Sequence, residues 1–572
     1  PTPSPTPAKS KPRSDSSRRA RIFHDSKPGQ SQSTPIYYIA MRASPPLFRV
    51  LVCLFASLAC AGPTTPEITI ELEDYATMPI TGHVDGKTNS AALLAKVNIL
   101  RQEPGVSKSR YFVNDVNGPL YILDRNTRKL TTYLDLNGLA GHSGIFHKLA
   151  IDNLLASGFI SFEFDPDYAH NGKFYTIHME DPALPASAMP DNRSFPGFNT
   201  AGYAPTAPIR TFGTTERESV LIEWTDTDTS NSTFEGTARE LMRLQYPGRI
   251  HPMGDLIFNP TAKPGDPDWR MMYVSTGDGG SGEQRTGIRN NPQRLDTLVG
   301  KILRISPGLK EQPEATILSD NGRYRIPKSN PFSQIQGARK EIWAYGLRNP
   351  FRLTWDVDPA DRANQHLIAS VIGLHTWETI DIIHKGANYG YSMREGPQQL
   401  NPDNTLSEVP AEDQIPVRID ENTTAGTVRP NYPVIAYGHN PSGGDAVANG
   451  VVYRGRALPA LQGKFIFGDI TTGRVWWSGF KEMLAVDDGD PKTMAATHEI
   501  RIAWKQEVYP TMAPITEIVY HSRGGQAEHL PGLARVSGGR SDIRFAMDSD
   551  GELYILSKSD GMIRRVVSAT AK

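Results

Sequence analysis

Short apolar runs alternate with polar turns along most of the chain, and their spacing is that of strands. Tyr111-Phe112-Val113-Asn114-Asp115 is followed by Gly118 and then Leu120-Tyr121-Ile122-Leu123-Asp124, which predicts strand, turn, strand. The pattern returns as Phe162-Glu163-Phe164-Asp165-Pro166-Asp167 before Lys173-Phe174-Tyr175-Thr176-Ile177. It returns again as Leu256-Ile257-Phe258-Asn259-Pro260 before Met271-Met272-Tyr273-Val274-Ser275, and as Phe545-Ala546-Met547-Asp548 with Gly551 before Leu553-Tyr554-Ile555-Leu556. Leu353-Thr354-Trp355-Asp356 and the pair Val451-Val452-Tyr453 with Phe465-Ile466-Phe467-Gly468-Asp469 bring the number of units to about six. Most units end a strand on Asp or Asn, whose side chains close turns by bonding backbone two residues on. No long amphipathic helix competes, so the expectation is an all-β chain. Residues 182–208 and 401–432 are rich in Pro, Asn and Thr without periodicity, and read as long loop insertions on that scaffold.

The N-terminal stretch breaks this rhythm. Residues 1–40 are rich in Pro, Ser and basic side chains and are expected to be disordered or upstream of the true start. Met41 opens a segment in which Arg42 and Arg49 precede a short apolar run ending in small residues. Residues 41–61 therefore read as a signal peptide, cleaved after Ala59 or Ala61, with acylation at Cys60 the less favoured alternative. Both cysteines, Cys53 and Cys60, fall inside it, so no disulfide would staple the mature chain. The expected organisation is a lead-in at 62–97 and one β domain at 98–567, exported to a periplasmic or extracellular compartment. Fifty glycines and forty-five prolines, spread along the chain, agree with many turns. A formal charge of −1 gives no footprint for nucleic acid, and no later apolar run is long enough to span a bilayer. Sequons at Asn192, Asn231 and Asn422 would matter only in a eukaryotic secretory pathway.

Residues 341–356, EIWAYGLRNPFRLTWD, carry the first candidate chemistry. A strand halts at Gly346, and Arg348 and Asn349 stand before Pro350, which biases its neighbour to an extended backbone. An arginine fork and an amide at a strand end suit a planar, oxygen-rich ligand, although Arg348 bonding loop carbonyls would explain the same residues. Gly346-Leu347-Arg348-Asn349-Pro350 resembles the Gly-x-Arg-Asn-Pro signature of the glucose/sorbosone dehydrogenase family. Four further segments resemble that family in order: Gly158 to Asp167, Tyr246 to Ile257, Ser275 to Gly280, and Trp377 to Gly390. The resemblance implies a six-bladed β-propeller with long loop insertions and, in several members, use of pyrroloquinoline quinone (PQQ) and calcium.

That resemblance implies specific roles. His251 becomes the base that takes a hydroxyl proton while hydride leaves the sugar carbon, and Asp278 orients its ring. Arg348 and Asn349 would contact the quinone, with Arg474, Arg540 or Arg544 offering charge to its carboxylates. Glu378 and the carbonyls of Gly373 and Leu374 would be the calcium set, suited to a hard cation. Small-molecule sugar and an external electron acceptor are the implied partners. Ala156, Phe351 and Thr471 depart from the family pattern, each replacing a polar residue of the cofactor contacts. These departures keep open a non-catalytic carbohydrate- or protein-binding propeller, and a calcium-dependent lactonase is a third possibility. No dinucleotide fingerprint joins a strand to a helix, which disfavours a nicotinamide enzyme.

Overall fold

The computed structural model describes residues 67–82, 94–105, 109–152, 157–525 and 540–572. Residues 1–61, with the expected signal peptide and both cysteines, lie outside them, as does Ala156. The all-β expectation is met. Short helices occur at Tyr168–Asn171, Phe480–Ala485 and Ala513–Ser522, and among the described residues no helix is long and apolar enough to cross a membrane.

The strand pairings resolve into four-stranded antiparallel meanders, which we read as six successive sheets. Their first strands are Val97–Gln102, Phe159–Phe164, Met253–Phe258, Asn349–Val357, Val447–Val452 and Ile543–Met547, numbered here sheets 1 to 6. Each first strand lies beside the first strands of the preceding and following sheets, and that of sheet 6 lies beside that of sheet 1, so these strands ring a central axis. The Asp and Asn side chains singled out in the repeats do close turns. Asp165, Asn259 and Asp548 each accept the backbone N–H two residues on, at 2.9, 3.0 and 3.0 Å.

Ring closure depends on the N-terminal strand. Ile68–Thr77, within the stretch read as a lead-in, pairs antiparallel with Met562–Ala571 as the outer strand of sheet 6, Ile68 opposite Ala571. Its other edge pairs parallel with His498–Trp504 of sheet 5. Segments from the two ends of the β domain thus share one sheet, and the edges that would otherwise lie open between sheets 5 and 6 are paired. Apolar faces of adjacent sheets fill the space between them. Phe112, Phe164, Phe174 and Trp224 join sheets 1 and 2, and Ile466, Ile502, Phe545 and Ile555 join sheets 5 and 6. Burying each such side chain stabilises by about 1.5–3 kcal/mol.

Two features shape the axis. The first strands of sheets 1 to 5 each slip register near their start, between Val97 and Ile99, Phe159 and Ser161, Met253 and Asp255, Pro350 and Arg352, and Val447 and Gly450. Such bulges bend a strand and re-aim its side chains. The insertions carry short pairings of their own. Phe198–Asn199 pairs with Gly236 and Thr237 on the edge of sheet 2, and Ile415–Arg418 forms a hairpin with Thr424–Val428. Backbone hydrogen bonding ordered these segments where hydrophobic alternation gave no signal.

Candidate active site

The residues just ahead of the first strands meet at one end of the axis, around a cavity of about 490 Å³. His251 lies two residues before the sheet 3 strand, in the left-handed region with φ 53°. Gly277 makes this approach possible, because a Cβ there would stand 2.5 Å from the His251 carbonyl oxygen. Asp278 follows the second strand of the same sheet, Met272–Thr276. Its Oδ1 lies 2.6 Å from His251 Nδ1. The same oxygen accepts from Gly280 N–H at 2.9 Å, and Oδ2 accepts from Gly282 N–H at 2.8 Å. The Asp278 N–H donates to the Arg348 carbonyl at 2.8 Å, tying sheet 3 to sheet 4.

Electrostatics set the protonation of this pair. Burial pulls His251 below its ordinary value, the nearby Arg348 charge adds to that, and Asp278 opposes both only in part. Burial acts to raise Asp278, but the His251 and Arg348 charges and the Gly282 N–H hold it below the usual carboxylate range. The pair is therefore a neutral imidazole beside a carboxylate at neutral pH. With Nδ1 facing Asp278, Nε2 is left as the proton-accepting atom.

Arg348 and Asn349 open sheet 4 on the same wall. The Arg348 guanidinium pairs with Glu283 and donates to the carbonyls of Ile372 (3.2 Å) and Gly373. Its Nε and the Asn349 Oδ1 are buried without a hydrogen-bond partner. Across the cavity, Arg540, Arg544 and Lys558 surround Asp542 at 3.2, 3.1 and 3.8 Å, and Lys96 lines the same cavity. Burial, then the neighbouring cations, pushes Lys558 well below its ordinary value. Burial likewise brings Arg544 down to about 10. One carboxylate thus stands among four basic side chains, an arrangement suited to an anion.

The structure brings His251, Asp278, Arg348, Asn349 and Arg540 together but leaves Arg474 out. The Arg474 guanidinium instead donates to the carbonyls of Pro441 (2.8 Å) and Ser442, and it does not line the cavity. Nor do the residues expected to bind calcium form a cation site. The Gly373 carbonyl accepts from Arg348, and the Leu374 N–H donates to Glu395. Glu378 is taken up by Gly373 N–H at 3.1 Å, His439 Nε2 at 2.7 Å and Val447 N–H at 2.7 Å. Among the described residues no group of three or more His, Cys, Asp or Glu side chains is arranged to hold a metal. Nitrogen donors face the Gly373 and Glu378 oxygens, so these two do not fit a cation.

Phe351 and Thr471, two of the departures, have different fates. Phe351 lines the cavity with the Arg352 and Arg544 guanidinium groups packed on its ring at 4.0 and 5.3 Å. The Thr471 hydroxyl bonds Asp445 at 3.1 Å. Sequence reasoning missed Lys96, Asp542, Lys558, Glu283 and His439. The first two occupy the position before a first strand, as Arg348 does, so aligning the repeats on strand starts would have found them.

Residues 109–502 match the family model described as glucose/sorbosone dehydrogenase. The HIPL1 protein of Arabidopsis thaliana is 27% identical over 341 residues, covering 56% of this chain and 43% of that protein. The chain therefore spans less than half the length of the first curated relatives it matches. Aldose sugar dehydrogenase YliI of Escherichia coli is 36% identical over 108 residues, 18% of this chain and 23% of that protein. The PQQ-bound aldose sugar dehydrogenase of Streptomyces coelicolor superposes with a TM-score of 0.47 at 16% identity, covering 90% of this chain and all of that one.

Proposed function

Because the chain belongs to the glucose/sorbosone dehydrogenase family, we propose that it is an exported enzyme that oxidises a sugar or related polyol with PQQ. The observation that carries this reading is the His251–Asp278 pair, 2.6 Å apart, on the wall of the cavity that also holds Arg348, Asn349 and the cation cluster. When bound, the quinone supplies the hydride acceptor. The residues present suit such a group. Arg348 Nε, Asn349 Oδ1 and Arg544 Nε lack partners, and Lys96, Arg540, Arg544 and Lys558 offer charge to its carboxylates.

His251 Nε2 takes the proton of the substrate hydroxyl, a task that needs a base with a pKa near the working pH. Asp278 holds the ring by Nδ1 and stabilises the imidazolium that forms. Arg348 and Asn349 orient the planar ligand and favour negative charge developing on its oxygens. Reoxidation falls to an external electron acceptor. The test is to add PQQ to the purified protein and follow the bound-cofactor spectrum and dye reduction with a panel of aldoses. Saturable quinone binding with sugar-dependent dye reduction is expected, and absence of quinone affinity would overturn the reading. A second reading, a carbohydrate-binding propeller without cofactor, is favoured by Phe351 standing where the family pattern has a polar residue. Quinone-independent sugar binding is the outcome that would establish it.

A further inference from the structure

The axis holds a second chamber beyond Phe351, and all six first strands contribute to it. Each strand that begins at the His251 cavity runs on into this chamber of about 330 Å³, which takes Asn98 and Arg101 from sheet 1, Glu163 from sheet 2, Asp255 from sheet 3 and Arg352 from sheet 4. Four of the polar atoms of its lining residues are not satisfied by the protein. Arg352 Nη2, Arg101 Nε, Trp355 Nε1 and Asn98 Oδ1 are buried without a hydrogen-bond partner. Arg352 and Asn98 are only 3% and 2% exposed. Buried polar groups in folded proteins are overwhelmingly paired, so four exceptions around one cavity call for an occupant.

The chemistry of that occupant follows from which atoms are left over. Three of the four are donors, and two of these belong to guanidinium groups. The carboxylates of the chamber are already engaged. Asp255 accepts from the Ser161 hydroxyl and from the N–H groups of Leu256 and Leu353. Glu163 accepts from Phe164 N–H and pairs with Arg101 at 3.2 Å. Arg352 Nη1 donates to the Gly254 and Phe351 carbonyls at 2.5 and 2.9 Å, so no anion touches the Arg352 charge. The remaining lining is largely apolar, including Ile257, Leu353, Val451 and Phe545.

From this geometry we infer that the second chamber is a binding site for a small organic monocarboxylate, its carboxylate on Arg352 Nη2 and its alkyl part on the apolar wall. A cavity of this size admits several heavy atoms beyond the carboxylate. Burial and the nearby Asp255, Arg544 and Arg101 charges leave Arg352 at about 9, as expected of a buried cation lacking a contact anion.

The test uses the purified full chain and sodium butyrate, with acetate, butyramide and sodium chloride at matched ionic strength, read by titration calorimetry and by crystals soaked in butyrate. Butyrate should saturate one site, acetate should bind more weakly, and butyramide and chloride should show no saturation. Arg352→Lys, which keeps the charge but loses Nη2, should weaken butyrate several-fold and Arg352→Met roughly ten-fold or more, whereas Lys96→Met, in the His251 cavity, should leave it unchanged. Because Arg352→Met removes a buried group, Arg352→Lys and the wild-type titration decide the matter if that variant fails to fold. No saturation by about 50 mM butyrate, or only water beside Arg352 in the soaked crystal, would overturn the proposal. So would butyrate binding that Lys96→Met abolishes and Arg352→Lys spares.

Discussion

Two histidine–carboxylate pairs face the same cavity and differ in almost everything except length. His251 and Asp278 are 2.6 Å apart, and His439 and Glu378 are 2.7 Å apart. Asp278 meets Nδ1 of its histidine, while Glu378 meets Nε2 of the other. Burial disfavours the charged form of both rings. At His251 the Arg348 charge joins burial, and the ring is pulled below its ordinary value. At His439 the Glu378 bond and charge, helped by Asp445 and Glu395, outweigh burial and raise it. Glu378 itself is raised by burial to about 7, against the opposing pull of His439 and the Val447 N–H. Contact distance therefore does not decide whether the ring of such a pair is lowered or raised. The sign of the next charge out does.

The largest expected effect separates the pairs by chemistry. In PQQ-loaded protein, His251→Ala should lower sugar-dependent dye reduction by roughly 10²–10⁴-fold while leaving fold and quinone retention intact, and His439→Ala should cost less than about ten-fold. Equal losses would break the comparison. Arg348→Ala acts on the charge that distinguishes the two sites. It should weaken quinone binding by about ten-fold or more and raise the midpoint of the acid limb of kcat/KM, because one of the influences lowering His251 is removed. A midpoint that stays put would separate Arg348 from the base.

Glu378→Gln places a donor where an acceptor serves buried N–H groups, and should cost about 1–3 kcal/mol in denaturant unfolding. Wild-type stability in that variant would show the second pair to be dispensable to the fold. The smallest effects lie in pH dependence. His251 and Asp278 are both lowered on folding, so their contribution is full above the unfolded histidine value and is lost as pH falls. Glu378 and His439 are both raised, so theirs is full on the acid side and is lost as pH rises through about 7. Histidine resonances followed by NMR should accordingly titrate below the ordinary value for His251 and above it for His439. The reverse order would contradict the electrostatic account.

Much of the scaffold was legible because its rules are local. Alternation and Asp or Asn turns located strands in every sheet, and the bonds at Asp165, Asn259 and Asp548 are the ones those residue types favour. The motif around Arg348 and the segments holding His251 and Asp278 pointed to residues that the fold brings together. Arg474 went astray because a turn residue's position says little about which carbonyls its long side chain will reach. The calcium assignment failed for a related reason. Glu378 and the Gly373 carbonyl are suitable ligands as types, but His439 and Arg348 compete for the same oxygens. The lead-in shows strand character at Glu67 to Glu71, but that Ile68–Thr77 belongs to the β domain was not legible, because its partners lie at the other end of the chain.

The sequence by itself determined the all-β character, the repeated unit, and the pairing of one histidine, His251, with one carboxylate, Asp278. Steric preference and hydrogen bonding within a few residues suffice for the first two, and a family pattern for the third. Only the tertiary structure decided the charge state of the site. Lys96 and Lys558 lie near opposite ends of the β domain and line one cavity, and Arg348 comes near His251 from the following sheet. Coulomb interactions and desolvation depend on distance through space, which ring closure sets and chain order does not.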